Sequence, residues 1–347
     1  MKRFKTAGIL FLLLTVVGGS VFAGGGGQAN QQASQQASQS AGKVYEFSLG
    51  SAYDGKSPPF LAGVRFADEV KAATNGNVII NTFSNSALGT EREQFIAVAA
   101  DELDFTVGGI LPVDMYCPEY GFMAAVYLYK DMNHIRNVFN SKLGDGMKAK
   151  FLENNLNLIG VNWRGQRHTS SNRPIRTPAD VKGLKIRMTE MPSWVAIWGA
   201  DGLGGTTVPI VLGELYSSLQ TGVVDASEGP YEQLATYKLY EVQKYLINTG
   251  HVQEWCALYA SEKMLKTLPP EYRKIIEEKA VSCMTDWGSQ LAADKAGDFR
   301  KELLAGGMEE ININVQEFTN AVMAVHEKFF RDTWKASTFA EIQSFAK

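Results

Sequence analysis

Strand-like segments alternate with helix-like segments in this chain, and this alternation limits the fold more than any other feature. Residues 44–49 alternate like a strand, residues 60–74 place apolar side chains at helical spacing, and residues 78–83 are rich in β-formers. A helix over residues 90–100 and a strand over residues 105–107 complete the unit. The order β-α-β-α-β predicts a parallel sheet covered by helices.

A second α/β unit follows the first. Strand patterns cover residues 156–163, 184–188 and 223–226, and residues 213–220 are helical. From Pro269 onward the pattern is mostly helical, with long helices expected over residues 271–288 and 316–334.

Short motifs mark where several of these helices begin and end. Thr90 and Glu93 form a capping box, in which each side chain is placed to bond the backbone amide of the other. Thr177 followed by Pro178 predicts another helix start. Gly222 supplies a left-handed stop after residues 213–220.

Charged residues fall at the strand ends between Arg173 and Pro230, where α/β proteins hold small anions. Arg187 has two interpretations. It either alternates outward and faces water, or lies at the carboxyl end of a parallel strand and binds a ligand carboxylate through its planar fork. Arg167 follows the strand that ends at Trp163 and can converge on the same cleft.

Six aromatic residues lie near predicted strand ends or crossovers, where they either pack in the core or wall a pocket. They are Tyr53, Trp163, Trp194, Trp198, Tyr231 and Trp255.

The N-terminus has the form of a secretory signal peptide over residues 1–23, with cationic residues, a short apolar run and a small-x-small cleavage site. A membrane anchor is the weaker interpretation because the apolar run is short. Residues 24–42 are Gly, Gln, Ser and Ala and predict a flexible linker. The formal charge of −3 becomes more negative when the basic leader is removed, which argues against a nucleic-acid partner.

Motifs for bond-making chemistry are missing from the sequence. The four histidines have no ligand partner at metal-binding spacing, and there is no GxSxG elbow or phosphate loop. The glycine cluster at residues 199–205 follows a helical stretch and predicts a turn. Three widely spaced cysteines allow at most one disulfide, and buried thiols are the simpler expectation. We expect no metal and no cofactor.

Three segments resemble the solute-binding proteins of tripartite ATP-independent periplasmic (TRAP) transporters, DctP type, and the resemblance covers residues 44–335. They are SALGTEREQ at 86–94, GQRHTSSNRPIRTPADVKGLKIR at 165–187 and GELYSSLQTGVVDASEGP at 213–230.

The resemblance implies a two-lobed periplasmic-binding-protein fold of type II-like α/β architecture, with hinge strands between the lobes and a long interlobe helix. It places residues 43–164 and about 254–295 in lobe I, and residues 165–253 and about 296–345 in lobe II. The ligand is expected between the lobes, which close by hinge motion.

The resemblance also implies which residues bind the ligand. Arg187 stands where the family clamps the ligand carboxylate, Arg167 is a second cationic donor, and Glu228 is the family's acidic residue. Tyr53 and Trp163 are added as aromatic walls.

Some positions depart from the sialic-acid binders of the family. Gly229, Glu190 and Leu212 replace polar or aromatic pocket residues of those relatives, and Gly109 replaces an acidic one. These departures argue against sialic acid. Glu190 beside two arginines hints at a ligand with hydroxyl or ammonium groups.

The expected function is an extracytoplasmic receptor that delivers a small organic acid to the small and large membrane subunits of a TRAP transporter. We expect it in the periplasm, without enzymatic activity, as a monomer or weak dimer. One alternative is a sensor ligand-binding module, and another is a periplasmic enzyme that uses Glu190 and Glu228 as acid–base groups. A receptor for an ATP-driven importer fits the motifs less well.

Overall fold

The computed structural model describes residues 43–346, so the signal peptide and the linker expected at residues 1–42 lie outside the described residues. This part of the chain forms nine strands and thirteen α-helices. The strands are β1 Tyr45–Ser51, β2 Val78–Phe83, β3 Phe105–Gly108, β4 Leu156–Ser171, β5 Lys185–Met188, β6 Thr206–Pro209, β7 Ala226–Gly229, β8 Tyr245–Ser261 and β9 Glu309–Asn312.

Helices occur within both α/β units and throughout the C-terminal part of the chain. They are α1 Pro58–Ala73, α2 Glu91–Ala99, α3 Leu111–Tyr116, α4 Met132–Phe139, α5 Lys142–Glu153, α6 Pro192–Trp198, α7 Leu215–Gln220, α8 Tyr231–Thr236, α9 Glu262–Leu265, α10 Pro270–Ala280, α11 Ser289–Ala305, α12 Val315–Asp332 and α13 Phe339–Ser344. Short 3₁₀-helices lie at Pro118–Ala124, Pro178–Val181, Leu212–Glu214 and Leu239–Glu241.

The strands form one mixed sheet in the order β2-β1-β3-β8-β4-β7-β5-β6, with β9 paired to β8. The outer parts are parallel as predicted: β1 pairs with β2 and β3, and β5 pairs with β6 and β7. The centre is antiparallel because β4 and β8 run against each other, β8 runs against β3 and β4 runs against β7, whereas β9 pairs with β8 in parallel.

The two central strands, β4 and β8, run from one half of the sheet to the other. They contain 16 and 17 residues, about three times the usual strand length. Their pairing runs from Leu156 opposite Ser261 to Ser171 opposite Tyr245. These crossover strands are the connection between lobes that the two-lobed fold requires.

A continuous long helix is formed by α10, a π-helical segment at Val281–Gly288, and α11. At about 1.5 Å per residue it is about 54 Å long. Its first half packs Ile276 and Met284 into one hydrophobic core with β1 and α1. Its far end packs Leu303 into a separate core with α7 and α8. The long helix therefore joins both halves of the molecule.

Gly160 of β4 sets how closely the long helix approaches the sheet. A Cβ at this position would lie 2.5 Å from the Ala280 carbonyl oxygen, which belongs to the helix backbone. Gly297 of α11 has nothing within 4 Å of its Cβ position. We expect Gly160→Ala to lower the free energy of unfolding by about 1–3 kcal/mol because the helix is forced away. Gly297→Ala should raise it by about 0.5–1 kcal/mol through helix propensity.

Urea unfolding of the two alanine variants measures both effects. The same Gly-to-Ala change is then expected to lower the free energy of unfolding at Gly160, which contacts the helix, and to raise it at Gly297, which is open. A Gly160→Ala variant as stable as wild type would show that the helix is free to shift.

Most local expectations are confirmed. The Thr90–Glu93 capping box is present, with Glu93 N 3.3 Å from Thr90 Oγ1 and Thr90 N 2.8 Å from Glu93 Oε2. The three cysteines are buried and unpaired to one another.

Two strand boundaries predicted from the sequence are wrong. The strand predicted over residues 156–163 continues to Ser171, and the strand predicted over residues 223–226 lies at Ala226–Gly229. Val224 is buried, but it packs in a core with α7 and α8 before the strand begins, which explains its apolar character.

Candidate functional site

Two adjoining hollows open between the two halves of the sheet. The inner hollow has a volume of about 40 Å³ and the outer hollow about 380 Å³. Five residues line both and mark where they meet: Glu91, Leu111, Arg187, Thr189 and Leu212. The outer hollow is walled by the N-terminal unit on one side, and on the other by the end of β5 with residues 189–190 and by residues 210–213, which follow β6.

Arg187 of β5 lies at the junction of the two hollows and is 4 % exposed. Its Nε donates to the Ile210 carbonyl oxygen at 2.8 Å. Among residues 43–346 no carboxylate lies within 4 Å of its guanidinium, and its two Nη nitrogens have no hydrogen-bond partner. Burial lowers the pKa of Arg187, yet an arginine stays charged in a protein. The water-facing interpretation of Arg187 is therefore wrong.

Arg167 of β4 is buried in the wall of the inner hollow and is already paired. It forks onto Glu228 with Nε and Nη2, the latter at 2.7 Å from Oε1, and Nη1 donates to Glu254 Oε1 at 2.6 Å. Nη2 also reaches the Glu228 carbonyl oxygen at 3.3 Å. Of its five N–H groups, four have acceptors, so one on Nη1 has no acceptor among residues 43–346.

Arg164 of β4 is a third buried guanidinium at this site. It pairs with Glu232 of α8 and reaches Glu254 Oε1 at 3.4 Å. Its guanidinium carbon lies 4.2 Å from the centre of the Tyr53 ring. Arg164, Arg167, Glu228, Glu232 and Glu254 form a continuous buried ion-pair network, which we call the arginine–glutamate network.

The irregular pairing of β4 and β8 explains how Arg164 and Arg167 both reach this network. Residues three apart point to opposite faces of a regular strand. The register shifts between Trp163 and Gly165, and again between Arg167 and Thr169. Such irregularities re-aim side chains. Gly165 has a φ of 104°, a backbone conformation that favours glycine.

Glu228 of β7 is fully buried, and its charge is held by its partners. Burial alone would raise the pKa of Glu228, but Arg167 and His251 together lower it well below the usual range. His251 Nε2 lies 3.1 Å from Glu228 Oε2, while its Nδ1 lies 2.7 Å from Thr249 Oγ1. Burial lowers the pKa of His251, and the hydrogen bond to Glu228 opposes this shift.

The sequence-predicted residues fall into three groups. Arg187, Arg167, Tyr53 and Leu212 line the inner hollow. Glu190 lines the outer hollow, exposed and paired with Arg92 at 3.1 Å. The remaining three lie behind the walls or elsewhere: Glu228 in the network, Gly229 against Gln233, and Trp163 packed on Phe139 beside a separate surface hollow.

Three charged residues that line the inner hollow were not identified from the sequence: Glu91, Arg164 and Glu254. Glu91 is the first residue of α2 and accepts from Gly109 N at 2.7 Å with Oε1. Glu254 lies on β8 opposite Gly165 of β4. The capping box located Glu91 on a helix end, but only the strand pairing brings Glu254 to the site.

His168 lies next to Arg167 but on the other side of the crossover strands. Its ring stacks on Tyr231 with 4.1 Å between ring centres, and Nδ1 accepts from Gly250 N at 3.3 Å. Burial, helped by His251, lowers the pKa of His168 to about 3. Its pKa in the unfolded chain is near 6.5, so as the pH falls below about 6.5 only the unfolded state takes up a proton and stability is lost.

Replacing His168 by Gln removes this titration and keeps an acceptor for Gly250. We expect the stability advantage of wild type over His168→Gln to shrink by about 2 kcal/mol between about pH 7.5 and about pH 5. Urea unfolding at both pH values measures it. If the two proteins lose stability in parallel over this range, His168 is protonated in the folded state and the burial argument is wrong.

Residues 43–346 offer no cluster of three or more His, Cys, Asp or Glu side chains arranged to hold a metal ion. Within the same part of the chain, every helix is too short or too polar to cross a membrane.

Comparison with known proteins identifies the family. The chain matches the family model for bacterial extracellular solute-binding protein, family 7, over residues 49–333. A solute-binding protein of Roseobacter denitrificans is 28% identical over 274 residues, covering 79% of this chain and 83% of that protein.

Solved structures agree. A TRAP periplasmic solute-binding protein from Roseobacter denitrificans with bound L-galactonate matches with a TM-score of 0.80 and 25% identity, over 88% of this chain and 99% of that chain. A TRAP periplasmic solute-binding protein from Shewanella oneidensis with bound succinate matches with a TM-score of 0.83 and 20% identity, over 88% of this chain and 100% of that chain. The two-lobed fold is thereby confirmed. The chain belongs to the DctP family, the bacterial extracellular solute-binding proteins of family 7, and is a solute-binding receptor of the TRAP type.

Proposed function

We propose that this protein captures a small organic acid between two lobes by pairing the ligand carboxylate with Arg187. One observation carries the proposal: Arg187 is a buried cation at the junction of the two hollows, and no carboxylate in residues 43–346 neutralises it. An unpaired buried charge is costly, and a carboxylate supplies the missing partner with two parallel hydrogen bonds.

Arg167 is proposed as a supporting donor. Arg167 lines the inner hollow and keeps one N–H group without an acceptor among residues 43–346, while Glu228 and Glu254 fix its orientation. Tyr53 and Leu212 close the pocket with apolar surface, and Trp194 lies under Arg167 with 5.0 Å from the guanidinium carbon to the ring centre. The L-galactonate in the Roseobacter relative is itself a carboxylate, which supports this ligand class.

The lobes are proposed to be residues 43–164 with about 254–295, and residues 165–253 with about 296–345. The register shift between Trp163 and Gly165 supports a hinge at this boundary. Contacts across the cleft include Arg92 with Glu190 and the Tyr237 hydroxyl with the Ala52 carbonyl oxygen at 3.1 Å. Hinge motion would make and break these contacts.

The wider role follows from the family. We propose that residues 1–23 direct export to the periplasm, where the loaded protein, as a monomer or weak dimer, presents both lobes to the small and large membrane subunits. The ligand is released unchanged, without a cofactor, because binding is the only chemistry that the site needs.

Thermal unfolding of the purified protein with a panel of organic acids tests this function. At about 100 times the dissociation constant a ligand adds ~2.7 kcal/mol, which raises Tm by roughly 2–4 °C or more. L-galactonate and galactitol form a matched pair, since the second has CH₂OH in place of the carboxylate. We expect a shift with one class of acids and none with its neutral analogue. Equal shifts with neutral polyols would reject carboxylate capture.

A further inference from the structure

One oxygen of the buried Glu254 carboxylate has no donor. Oε1 accepts from both Arg167 and Arg164, whereas Oε2 is buried and has no hydrogen-bond partner among residues 43–346. Glu254 is 2 % exposed and lines the inner hollow. Buried carboxylate oxygens are normally satisfied, so a ligand in the inner hollow that donates an N–H or O–H to Glu254 would supply the partner that Oε2 lacks.

Glu91 supplies a second carboxylate to the same space. Its Oε1 is held by Gly109 N, and the side chain lines both hollows. The Tyr53 hydroxyl lies nearby, because the position of a Cβ on Gly109 is 3.0 Å from Tyr53 Oη and 3.3 Å from Glu91 Oε1. The lining of the inner hollow therefore contains several acceptors besides the guanidinium of Arg187.

The cations around the inner hollow cannot receive two ligand carboxylates. Arg164 and Arg167 are already paired with Glu232, Glu228 and Glu254. Arg187 alone of these three has a free fork. Arg92, at the outer hollow, is paired with Glu190. A second ligand carboxylate near Glu254 and Glu91 would be repelled by their negative charges. Such repulsion lowers the affinity for dicarboxylic ligands.

We propose that Glu254, together with Glu91, makes this receptor select monocarboxylic acids that carry hydroxyl or ammonium donors away from the carboxylate, and reject dicarboxylic acids. This selectivity rests on the proposed function, because it needs Arg187 to hold the first carboxylate. It assigns to Glu254 and Glu91 the donor-reading role for which the sequence suggested Glu190.

Isothermal titration with matched acids tests the selectivity. L-galactonate and galactarate share a six-carbon hydroxylated chain and differ in one terminal CH₂OH or carboxylate. 4-Hydroxybutanoate, 4-aminobutanoate and succinate form a four-carbon set that separates hydroxyl from ammonium donors. We expect each dicarboxylate to bind at least about 10-fold more weakly than its donor-bearing partner. Dicarboxylates within threefold of their partners, or no binding by any of the five acids, would overturn the proposal.

Variants assign the effect to the two carboxylates. In Glu254→Gln the ratio of the dissociation constant of galactarate to that of galactonate should fall by about 10-fold. The negative charge is lost, while an acceptor for Arg167 is kept. Glu91→Gln, which lies outside the arginine–glutamate network, should lower the ratio in the same direction and serves if Glu254→Gln does not fold. Glu327→Gln, an exposed carboxylate of α12 that lines neither hollow, is the matched control and should leave the ratio unchanged. An unchanged ratio in both test variants would overturn the proposal.

The two proposals fail separately. If Arg187→Ala binds no acid and the wild type binds mono- and dicarboxylic acids equally well, carboxylate capture is supported and only the selectivity is rejected. Acid binding that survives in Arg187→Ala removes carboxylate capture itself.

Discussion

Replacing Arg187 by Ala should weaken binding of the organic acid by ~30- to 4000-fold, or roughly 2–5 kcal/mol. In the proposed binding mode the ligand carboxylate leaves water and gains two charge-assisted hydrogen bonds from the Nη groups of Arg187. In the variant the same carboxylate is buried without a cation, because Arg164 and Arg167 are engaged by Glu232, Glu228 and Glu254. Isothermal titration of both proteins measures the difference.

Two control variants make this result specific. Arg187→Lys keeps the charge but loses the planar fork, so we expect at best partial recovery of affinity. Arg92→Ala removes an exposed arginine of the outer hollow that is paired with Glu190, and it should change affinity by less than about 1 kcal/mol. Arg187→Ala with wild-type affinity would reject the role of Arg187.

Replacing Arg167 by Ala should instead damage the fold, lowering the free energy of unfolding by about 3–5 kcal/mol. Glu228 would lose its bidentate partner, and Glu254 would lose its shorter contact, at 2.6 Å. Both carboxylates are buried, so their charges would be left poorly compensated. With a total stability of about 5–15 kcal/mol, such a loss is measurable by urea unfolding and by a lower Tm.

The contrast with Arg187 supplies the control. Arg187→Ala removes a buried cation that no carboxylate neutralises, and we expect the unliganded variant to lose no more than about 1 kcal/mol. The double variant Arg167→Met, Glu228→Gln keeps volume and removes both charges, and it should recover part of the loss. An Arg167→Ala variant as stable as wild type would mean that the arginine–glutamate network does not stabilise the fold.

The two arginines thus have different physical situations despite similar burial. Arg167 is compensated by carboxylates of its own chain, so its main contribution is to orient β4, β7 and β8 at the crossover. The charge of Arg187 is compensated by no carboxylate among the described residues. A ligand anion should therefore gain more binding free energy at Arg187 than at Arg167. The family resemblance indicated both positions, but only their partners distinguish the roles.

Local signals in the sequence were sufficient for much of the fold. The Thr90–Glu93 box placed the start of α2, and the apolar pattern placed β1, α1, β2 and β3. Gly222, with φ of 72°, ends α7 as predicted. These features depend on residues a few positions apart, which is why pattern and propensity identify them.

The centre of the molecule follows from contacts that are distant in sequence. Residues 164–171 are largely polar and do not resemble a buried strand, yet they complete β4 because Arg164 and Arg167 are neutralised by glutamates on β7, β8 and α8. The Arg167–Glu254 pair joins residues 87 positions apart. Its geometry depends on the register of β4 and β8 and on the irregularity at Gly165. A pattern along one segment carries no information about that register.

The most direct test of the central claim is a crystal structure of the protein with its tightest-binding acid. The ligand carboxylate should lie between the lobes with its oxygens about 2.7–2.9 Å from the Nη atoms of Arg187, the distance of a charge-assisted hydrogen bond. The rest of the ligand should extend toward Glu254 and Glu91. A carboxylate bound elsewhere, or an uncharged ligand group against Arg187, would contradict the account.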